Sequence, residues 1–216
     1  MMRLEEHPAS PDRLGYVLYQ PQQTPAEPLP LILFLHGAGE RGADLAQVRA
    51  VGLPPRLESD LELPAIVVAP QCPEDEWWNL PKVVQLNALL DEVQARFAID
   101  PARVYVTGLS MGGFGTLVLA AELPQRFAAL APVCAPLFRD SGLPQRLERI
   151  AQLPIWLFHG EADSIVSVKD SEQAAEILRK AGGAPRLTIY PGVDHNSWDA
   201  AYAEPDFFPW LLSQRR

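Results

Sequence analysis

The chain has 216 residues, of which 48% are hydrophobic and 21% are charged, and this composition predicts one soluble domain over residues 1–216 with a sizeable core. The formal net charge of −9 disfavours binding to nucleic acids and to anionic membrane surfaces, because both carry negative charge. No stretch approaches the roughly 18 apolar residues that a membrane helix needs, and residues 1–8 lack the apolar core of a signal peptide. The sequence therefore predicts a cytoplasmic protein.

Apolar runs and turn residues predict the secondary structure in chain order. The predicted strands cover residues 14–20, 30–36, 64–70, 103–108, 128–134, 154–159 and 186–190, and the predicted helices cover 81–97, 111–122, 144–150, 168–181 and 199–214. The first strand is expected to be antiparallel, with room for an earlier partner. Strands and helices alternate after residue 60, which predicts a doubly wound, mainly parallel sheet of about seven to eight strands with helices on both faces.

The motif with the most chemical content is Gly108-Leu109-Ser110-Met111-Gly112, which fits the pattern G-x-S-x-G. It stands between a predicted strand and a predicted helix. In this context the glycines let the chain turn sharply, so that the Ser110 hydroxyl is held exposed on a strained elbow. A five-residue pattern also occurs by chance, and Ser110 becomes a candidate nucleophile only together with an acid and a base.

The acid and the base are predicted just past the carboxyl ends of two later strands. The chain order Ser110, Asp163, His195 is the order of the α/β-hydrolase topology, and the carboxyl ends of parallel strands meet at one edge of the sheet. Asp194 is the competing acid. We favour Asp163, because an adjacent residue cannot easily place its carboxylate on Nδ1 while the imidazole faces Ser110.

A Gly-rich turn after strand 30–36 predicts an oxyanion hole. In this topology one amide comes from the residue after the nucleophile, here Met111, and one from the loop after the third strand, here Ala38. Gly39 is the alternative donor and a candidate to line the substrate pocket. An ordinary turn that closes the strand is the alternative explanation of these glycines.

Together these motifs resemble the compact esterases of the α/β-hydrolase superfamily, in the carboxylesterase, dienelactone-hydrolase and predicted peptidase/phospholipase-carboxylesterase group. The resemblance runs from about residue 14 to the C terminus. It implies that Ser110 is the nucleophile, His195 the base and Asp163 the orienting acid. It rests on LHGAGERG at 35–42, PQCP at 70–73 with the tryptophans at 77 and 78, GLSMGG at 108–113, FHGEAD at 158–163 and HNSW at 195–198.

Several aromatic residues could serve the site or the core. Trp77 and Trp78 are candidates to wall the acyl or alcohol pocket, although at least one ring of an adjacent pair must be buried. Trp198 either packs the start of the last helix or contacts the substrate. His36 and His159 each precede a glycine at a strand end, and we expect both to brace loops through hydrogen bonds.

The predicted function is hydrolysis of carboxylic esters through an acyl-enzyme, with a small-molecule ester as substrate. No metal or organic cofactor is expected, because no metal-ligand spacing of Cys and His is present. Only the 19 residues 135–153 separate two strands where lipases carry a lid, which favours an open cleft and soluble esters of short acids. A peptidase or acyl transferase with the same triad, or a catalytically silent binding protein, are the alternatives. The sequence leaves the oligomeric state open.

Overall fold

The computed structural model describes residues 1–23 and 26–216, and in this part of the chain eight strands form one mixed sheet. The strands are β1 (Arg3–His7), β2 (Tyr16–Gln20), β3 (Leu29–Leu35), β4 (Ile66–Pro70), β5 (Ile99–Leu109), β6 (Ala129–Val133), β7 (Trp156–Gly160) and β8 (Arg186–Tyr190). Their order across the sheet is β1-β2-β4-β3-β5-β6-β7-β8. The pairs β1/β2 and β2/β4 are antiparallel, and the pairs from β4 through β8 are parallel.

Helices cover both faces of the sheet, as predicted. They are α1 (Leu45–Arg49), α2 (Leu53–Ser59), α3 (Leu80–Arg96), α4 (Met111–Glu122), α5 (Leu143–Arg146), α6 (Val168–Lys180), α7 (Trp198–Ala203) and α8 (Phe207–Ser213). Along β3, Leu31 and Leu33 pack with α3 to α6, whereas Ile32 and Phe34 pack with the other four helices. This alternation divides the core into two layers, since successive strand residues point to opposite faces. Among the described residues, none of the helices combines the length and apolar character needed to cross a bilayer.

The predicted elements agree with the structure except at four places. The predicted helix 199–214 is two helices, because Pro205 disfavours helical backbone at the residue before it and has no N–H to donate. The predicted helix 144–150 is α5 followed by a short 3-10 turn. Strand β5 begins at Ile99 rather than at residue 103, and the short helices α1 and α2 were not predicted.

Helix α4 lies at the centre of the molecule and fixes the position of the proposed nucleophile. Its residues Met111 to Ala121 are all buried, because the helix is apolar on every side. Its glycines allow a very close approach to the sheet. A Cβ at Gly112 would collide with the backbone carbonyl of Leu35 in β3. The N-terminus of α4 is thereby held against the carboxyl ends of β3 and β5.

Candidate active site

Ser110 is the link between β5 and α4, and its backbone has an unusual conformation. Its φ is +53° and its ψ is −116°, a region that L-residues rarely adopt. The Ser110 N–H donates to the carbonyl of Val133 at 2.9 Å, and the Ser110 carbonyl accepts from the N–H of Phe114 at 3.1 Å. A Cβ at Gly108 would lie 2.5 Å from the Gly112 carbonyl oxygen, so neither position 108 nor position 112 has room for a side chain. The sharp elbow predicted for this motif is present.

The three predicted triad residues lie within hydrogen-bond distance of one another. His195 Nε2 is 3.0 Å from Ser110 Oγ, and His195 Nδ1 is 2.8 Å from Asp163 Oδ2. A carboxylate oxygen accepts only, so opposite Asp163 Oδ2 the proton is on Nδ1, and Nε2 is left to accept from the Ser110 hydroxyl. This is the tautomer that a general base requires.

Asp163 is wholly buried, and its carboxylate is held at both oxygens. Oδ1 accepts from the N–H groups of Ile165 at 2.9 Å and Val166 at 2.8 Å. Oδ2 faces His195, and the Nε2 of His159 lies 3.1 Å from the same oxygen. Backbone donors stabilise a buried carboxylate in its charged form. The loop after β7 therefore presents a fixed acceptor to His195.

Asp194, the competing acid, contacts a different part of His195. Its Oδ1 accepts from the backbone N–H of His195 at 2.7 Å and from the N–H and hydroxyl of Ser164 at 2.8 and 2.9 Å. These bonds, that to the Ser164 N–H first among them, hold the pKa of Asp194 below its usual value. Asp194 thus ties the loop after β8 to the loop after β7 and does not touch the imidazole.

The two amides predicted for the oxyanion hole stand at the starts of two helical segments. Met111 is the first residue of α4, and Ala38 is the first residue of a 3-10 turn, Ala38–Glu40. The first N–H groups of a helix have no acceptor within it, so both amides need an acceptor from outside. Arg41 Nε donates to the Ala38 carbonyl at 2.9 Å and fixes the turn. Gly39 is exposed, and no described atom lies within 4 Å of a Cβ built on it.

His36 stabilises this turn through hydrogen bonds, as the sequence predicts. Its Nδ1 donates to the carbonyl of Gly37 at 2.6 Å, and its Nε2 accepts from the N–H of Cys72 at 2.9 Å. Burial lowers the pKa of His36 to about 4, which keeps the imidazole neutral and able to accept. The turn after β3 is therefore tied to the loop after β4.

The structure separates the two adjacent tryptophans and corrects the expectation for Trp78. Trp78 is only 1% exposed, packs in the core and donates its indole N–H to the His36 carbonyl at 3.0 Å. It fits there because Gly115 of α4 has no side chain in its way. Trp77 is half-buried, so only Trp77 remains available as a pocket wall.

Phe138, which the sequence reasoning missed, lies next to Trp77. The ring centroids of Phe138 and Trp77 are 5.8 Å apart and those of Phe138 and Phe114 are 5.2 Å apart, both edge-to-face. Phe114 stands one helical turn after Ser110, and the rings of Trp77, Phe138 and Phe114 form an aromatic row. The sequence signal for Phe138 is weak, because it consists of a single aromatic residue before a polar stretch. In the structure Phe138 is 45% exposed.

Trp198 is the first residue of α7 and lies beside His195. It is half-buried, packs against the core layer that includes Ala201 and Tyr202, and stands edge-on to the His195 ring, with centroids 5.5 Å apart. It also borders an open cavity of about 680 Å³ that Arg56, Asn196 and Asp199 help to line. Trp198 therefore packs beside the proposed base, and its contact with substrate stays a prediction.

Cys134 is a further residue at the site that the sequence did not single out. It follows β6, has a φ of +40°, and is free and buried like Cys72. Potential ligand atoms of Cys134, Asp163 and His195 lie within 4.8 Å of one another. However, burial raises the pKa of the Cys134 thiol to about 12, and the other two side chains already bind each other. These donors fit a hydrogen-bonded triad better than a resident metal ion.

Comparisons with known proteins identify the family of the chain. The model of the Phospholipase/Carboxylesterase family matches residues 68–204. The chain is 26% identical over 189 residues to "Probable carboxylesterase SOBER1-like" of Arabidopsis thaliana, which covers 76% of this chain and 72% of that protein. A stretch of 52 residues is 46% identical to poly(3-hydroxyalkanoate) depolymerase C of Paucimonas lemoignei, and it covers 24% of this chain but only 13% of the depolymerase.

The fold is shared with a solved esterase. The crystal structure of a thermostable esterase superposes with a TM-score of 0.80 at 31% sequence identity, and the match covers 100% of this chain and 63% of that one. The family match includes the segments that carry Ser110, Asp163 and His195. The eight-stranded, mainly parallel sheet is thus the α/β-hydrolase fold predicted from the sequence. The chain belongs to the phospholipase/carboxylesterase family.

Proposed function

We propose that this protein is a serine hydrolase that cleaves carboxylic esters through an acyl-enzyme. The observation that carries the proposal is the continuous hydrogen-bonded path from Ser110 Oγ through His195 to Asp163, with distances of 3.0 and 2.8 Å, at a strained strand-to-helix elbow. The names of its relatives, a carboxylesterase and a polyester depolymerase, support the same bond class.

In the acylation step, His195 Nε2 takes the proton from Ser110 as Oγ attacks the ester carbonyl carbon. The carbonyl oxygen becomes an oxyanion, which the N–H groups of Met111 and Ala38 stabilise. Asp163 keeps the imidazolium oriented without taking its proton. The protonated Nε2 then donates to the departing alcohol oxygen, and the C–O bond to the alcohol breaks.

In the deacylation step, the same groups act on water. His195 takes a proton from a water molecule that attacks the acyl carbon, the oxyanion forms again, and the bond to Ser110 Oγ breaks as His195 returns the proton. The products are a carboxylic acid and a regenerated serine. The chain's own side chains and amides carry every proton and charge in this sequence of steps.

The preferred substrates in this proposal are soluble esters of short acids. The aromatic row of Trp77, Phe138 and Phe114 supports an apolar acyl pocket of limited depth next to Ser110. Between Ala135 and Leu153 the chain forms only two 3-10 turns and the single turn of α5, which leaves little chain for a cover.

Replacement of the proposed nucleophile tests the function directly. Ser110→Ala removes Oγ without disturbing packing, and kcat for p-nitrophenyl butyrate should fall by about 10⁴-fold or more, as in other serine triads. A fluorescent fluorophosphonate should label the unaltered protein and leave Ser110→Ala unlabelled. Ser213→Ala, at an exposed serine of α8, is the matched control and should behave like the unaltered protein.

The alternatives predict different results in the same experiment. A silent binding protein would neither turn over esters nor react with the fluorophosphonate. A peptidase or acyl transferase would be labelled at Ser110, but it would prefer peptide amides, or transfer to an added alcohol, over hydrolysis of simple esters. Near-normal turnover by a folded Ser110→Ala variant would overturn the proposal.

A further inference from the structure

A second histidine, His159 at the carboxyl end of β7, lies behind Asp163. Its side chain is wholly buried, and its Nε2 is 3.1 Å from Asp163 Oδ2 and 3.0 Å from the Val166 carbonyl. Its Nδ1 is 2.7 Å from the hydroxyl of Ser171 in α6, which is also buried. The hydrogen-bonded path of the triad therefore continues from Asp163 through His159 to α6.

The partners of His159 determine where its proton lies. A carboxylate and a carbonyl oxygen can only accept, so Nε2 must carry a hydrogen and donate between them. The Ser171 hydroxyl can donate, and Nδ1 is then the acceptor. Every polar atom of this buried imidazole is satisfied when the ring is neutral and protonated at Nε2.

Asp163 Oδ2 is consequently shared between two imidazole donors, His195 Nδ1 and His159 Nε2. Resting on the proposed function, we propose that His159 is a positioning residue of the triad: its neutral Nε2–H holds Oδ2 of Asp163 in the plane that faces His195 and takes up part of the negative charge that His195 would otherwise meet. Asp163 Oδ2 and the Val166 carbonyl require the hydrogen on Nε2, and Ser171 supports this form by donating its hydroxyl to Nδ1.

Loss of the His159 donor should change the pH dependence as well as the rate. With Oδ2 directed only at His195, the carboxylate attracts the imidazolium more strongly, and His195 retains its proton to higher pH. The acidic limb of kcat/KM should then move upward by about 0.5–1 pH unit, since the change is a fraction of a full charge–charge effect. A merely structural role would lower activity without moving the limb.

Few other groups near this path can titrate or carry charge. Asp194 faces the His195 backbone and is unchanged by the substitutions below. Cys134 approaches Asp163 and His195 from the end of β6 as a neutral thiol. Asp170, the neighbour of Ser171 on α6, is directed away and accepts from the Leu137 N–H at 2.9 Å. The remaining neighbours, Ser110, Ser171 and Ser197, are neutral.

The first experiment uses the unaltered protein and does not depend on activity. The chain has only 4 histidines, so ¹⁵N-histidine labelling gives a simple spectrum. His159 should report a neutral ring protonated at Nε2 at pH 7, and His159→Gln identifies its signals by their loss. An imidazolium at this position, or a ring protonated at Nδ1 alone, would overturn the proposal.

The second experiment compares pH profiles of kcat/KM for variants. His159→Leu removes the donor and should shift the acidic limb upward with a loss of about 10-fold at the optimum, as for other residues that orient a catalytic ligand. His159→Gln can place its amide N–H near the Nε2 position and should restore the limb and most of the rate. His36→Leu, at a buried strand-end histidine without contact to Asp163, should lower the rate and leave the limb in place.

The outcomes separate this inference from the proposed function. Should His159→Leu fail to fold, Ser171→Ala takes its place and should shift the limb in the same direction by a smaller amount. An unshifted limb in a folded, active His159→Leu or Ser171→Ala variant would overturn the positioning role while leaving the serine hydrolase intact. Absence of esterase activity in the unaltered protein would defeat the proposed function, whatever the ¹⁵N spectrum reports.

Discussion

Asp163 and Asp194 both lie within hydrogen-bond distance of His195, but they contact different atoms of it. Asp163 accepts from the ring Nδ1 at 2.8 Å, and Asp194 accepts from the backbone N–H at 2.7 Å. Asp163 is wholly buried, whereas Asp194 is exposed. At the residue scale, the two proposed roles differ in the donor atom of His195. Asp163 accepts from the ring and would orient the base, whereas Asp194 accepts from the backbone and would brace the loop.

This difference predicts unequal effects of the same substitution. Asp163→Asn presents an amide that can donate to His195 and favour the wrong tautomer, so kcat should fall by up to about 10⁴-fold. Asp194→Asn keeps an oxygen acceptor for the His195 N–H, and kcat should fall by less than about 3-fold. Steady-state kinetics on both purified variants measure the two losses. The larger loss at Asp194 would reverse the proposed roles.

Residue-scale prediction from the sequence worked where a motif constrains the backbone. The glycines around Ser110 require a sharp turn, and Asp163 was favoured over Asp194 because a residue adjacent to His195 cannot easily place its carboxylate on Nδ1. Sequence-based prediction did not work for Trp78 or Phe138. Adjacent tryptophans look alike in sequence, and the missing side chain of Gly115 decides which ring is buried. The contact between His159 and Asp163 depends on a loop closure that no local pattern encodes.

At the scale of elements, the proposal of an open cleft at Ser110 rests on the short connection between β6 and β7. It contains a 3-10 turn (Arg139–Ser141), α5 and a second 3-10 turn (Leu147–Ile150). Leu143, Leu147 and Ile150 are buried, so these segments pack against the core and are not available to fold over the cleft. Phe138 is the exposed exception.

The short connection predicts a limit on acyl length. The kcat/KM for p-nitrophenyl esters should be highest for acids of roughly two to eight carbons, because the aromatic row closes the pocket. The rate should show no jump when a substrate passes its solubility limit. Best turnover on chains of about sixteen carbons, or steep activation at an oil–water interface, would contradict the open, shallow cleft.

A variant series locates this limit. Phe138→Ala should raise the ratio of kcat/KM for ten-carbon over four-carbon esters by about 10-fold, since each accommodated methylene adds apolar contact. Val84→Ala truncates another exposed apolar side chain, on α3, and should leave the ratio unchanged. Equal ratios in the two variants would assign the limit to another wall.

Element-scale prediction succeeded for long, strongly patterned segments. Helix α4 and strand β8 begin and end where the sequence predicts. The incorrectly predicted elements are short segments and the pair α7 and α8. The apolar periodicity continues across Pro205, so the sequence pattern does not show that the helix ends there. Strand β1 was only anticipated, because its edge position leaves it polar (RLEEH) and without an alternating apolar pattern.

At the scale of the whole molecule, the sheet separates two apolar layers, and its carboxyl edge holds buried polar side chains among them. His36 is one of these groups, with burial lowering its pKa to about 4. In the unfolded chain a histidine titrates near 6.5. Between pH 6.5 and about 4, His36 is protonated in the unfolded chain but neutral in the folded protein. The free energy of unfolding therefore decreases as the pH falls through this range.

This linkage predicts a pH-dependent effect of His36→Gln. The free energy of unfolding in urea should be lower for the variant at pH 7, and the difference from the unaltered protein should narrow between pH 6.5 and 4. The narrowing isolates His36 from carboxylates such as Glu58, whose pKa is lowered by Arg49 and which destabilise both proteins alike in acid. Parallel curves across this range would show that His36 does not contribute to the linkage.

The overall architecture was the most predictable property of the chain. Alternation of strands and helices after residue 60 predicts a parallel, doubly wound sheet, and right-handed crossovers leave few strand orders. The first predicted strand, expected to be antiparallel, corresponds to β2, which pairs antiparallel with β4. The convergence of three loops on one imidazole was inferable only because parallel strands share a carboxyl edge.

The left-handed backbone of Ser110 has a consequence for how this protein can change. A serine held at a φ of +53° costs about 1–3 kcal/mol relative to a relaxed conformation, and glycine would relieve most of it. At the position of the proposed nucleophile, the residue that favours stability and the residue that the proposed activity requires are therefore different.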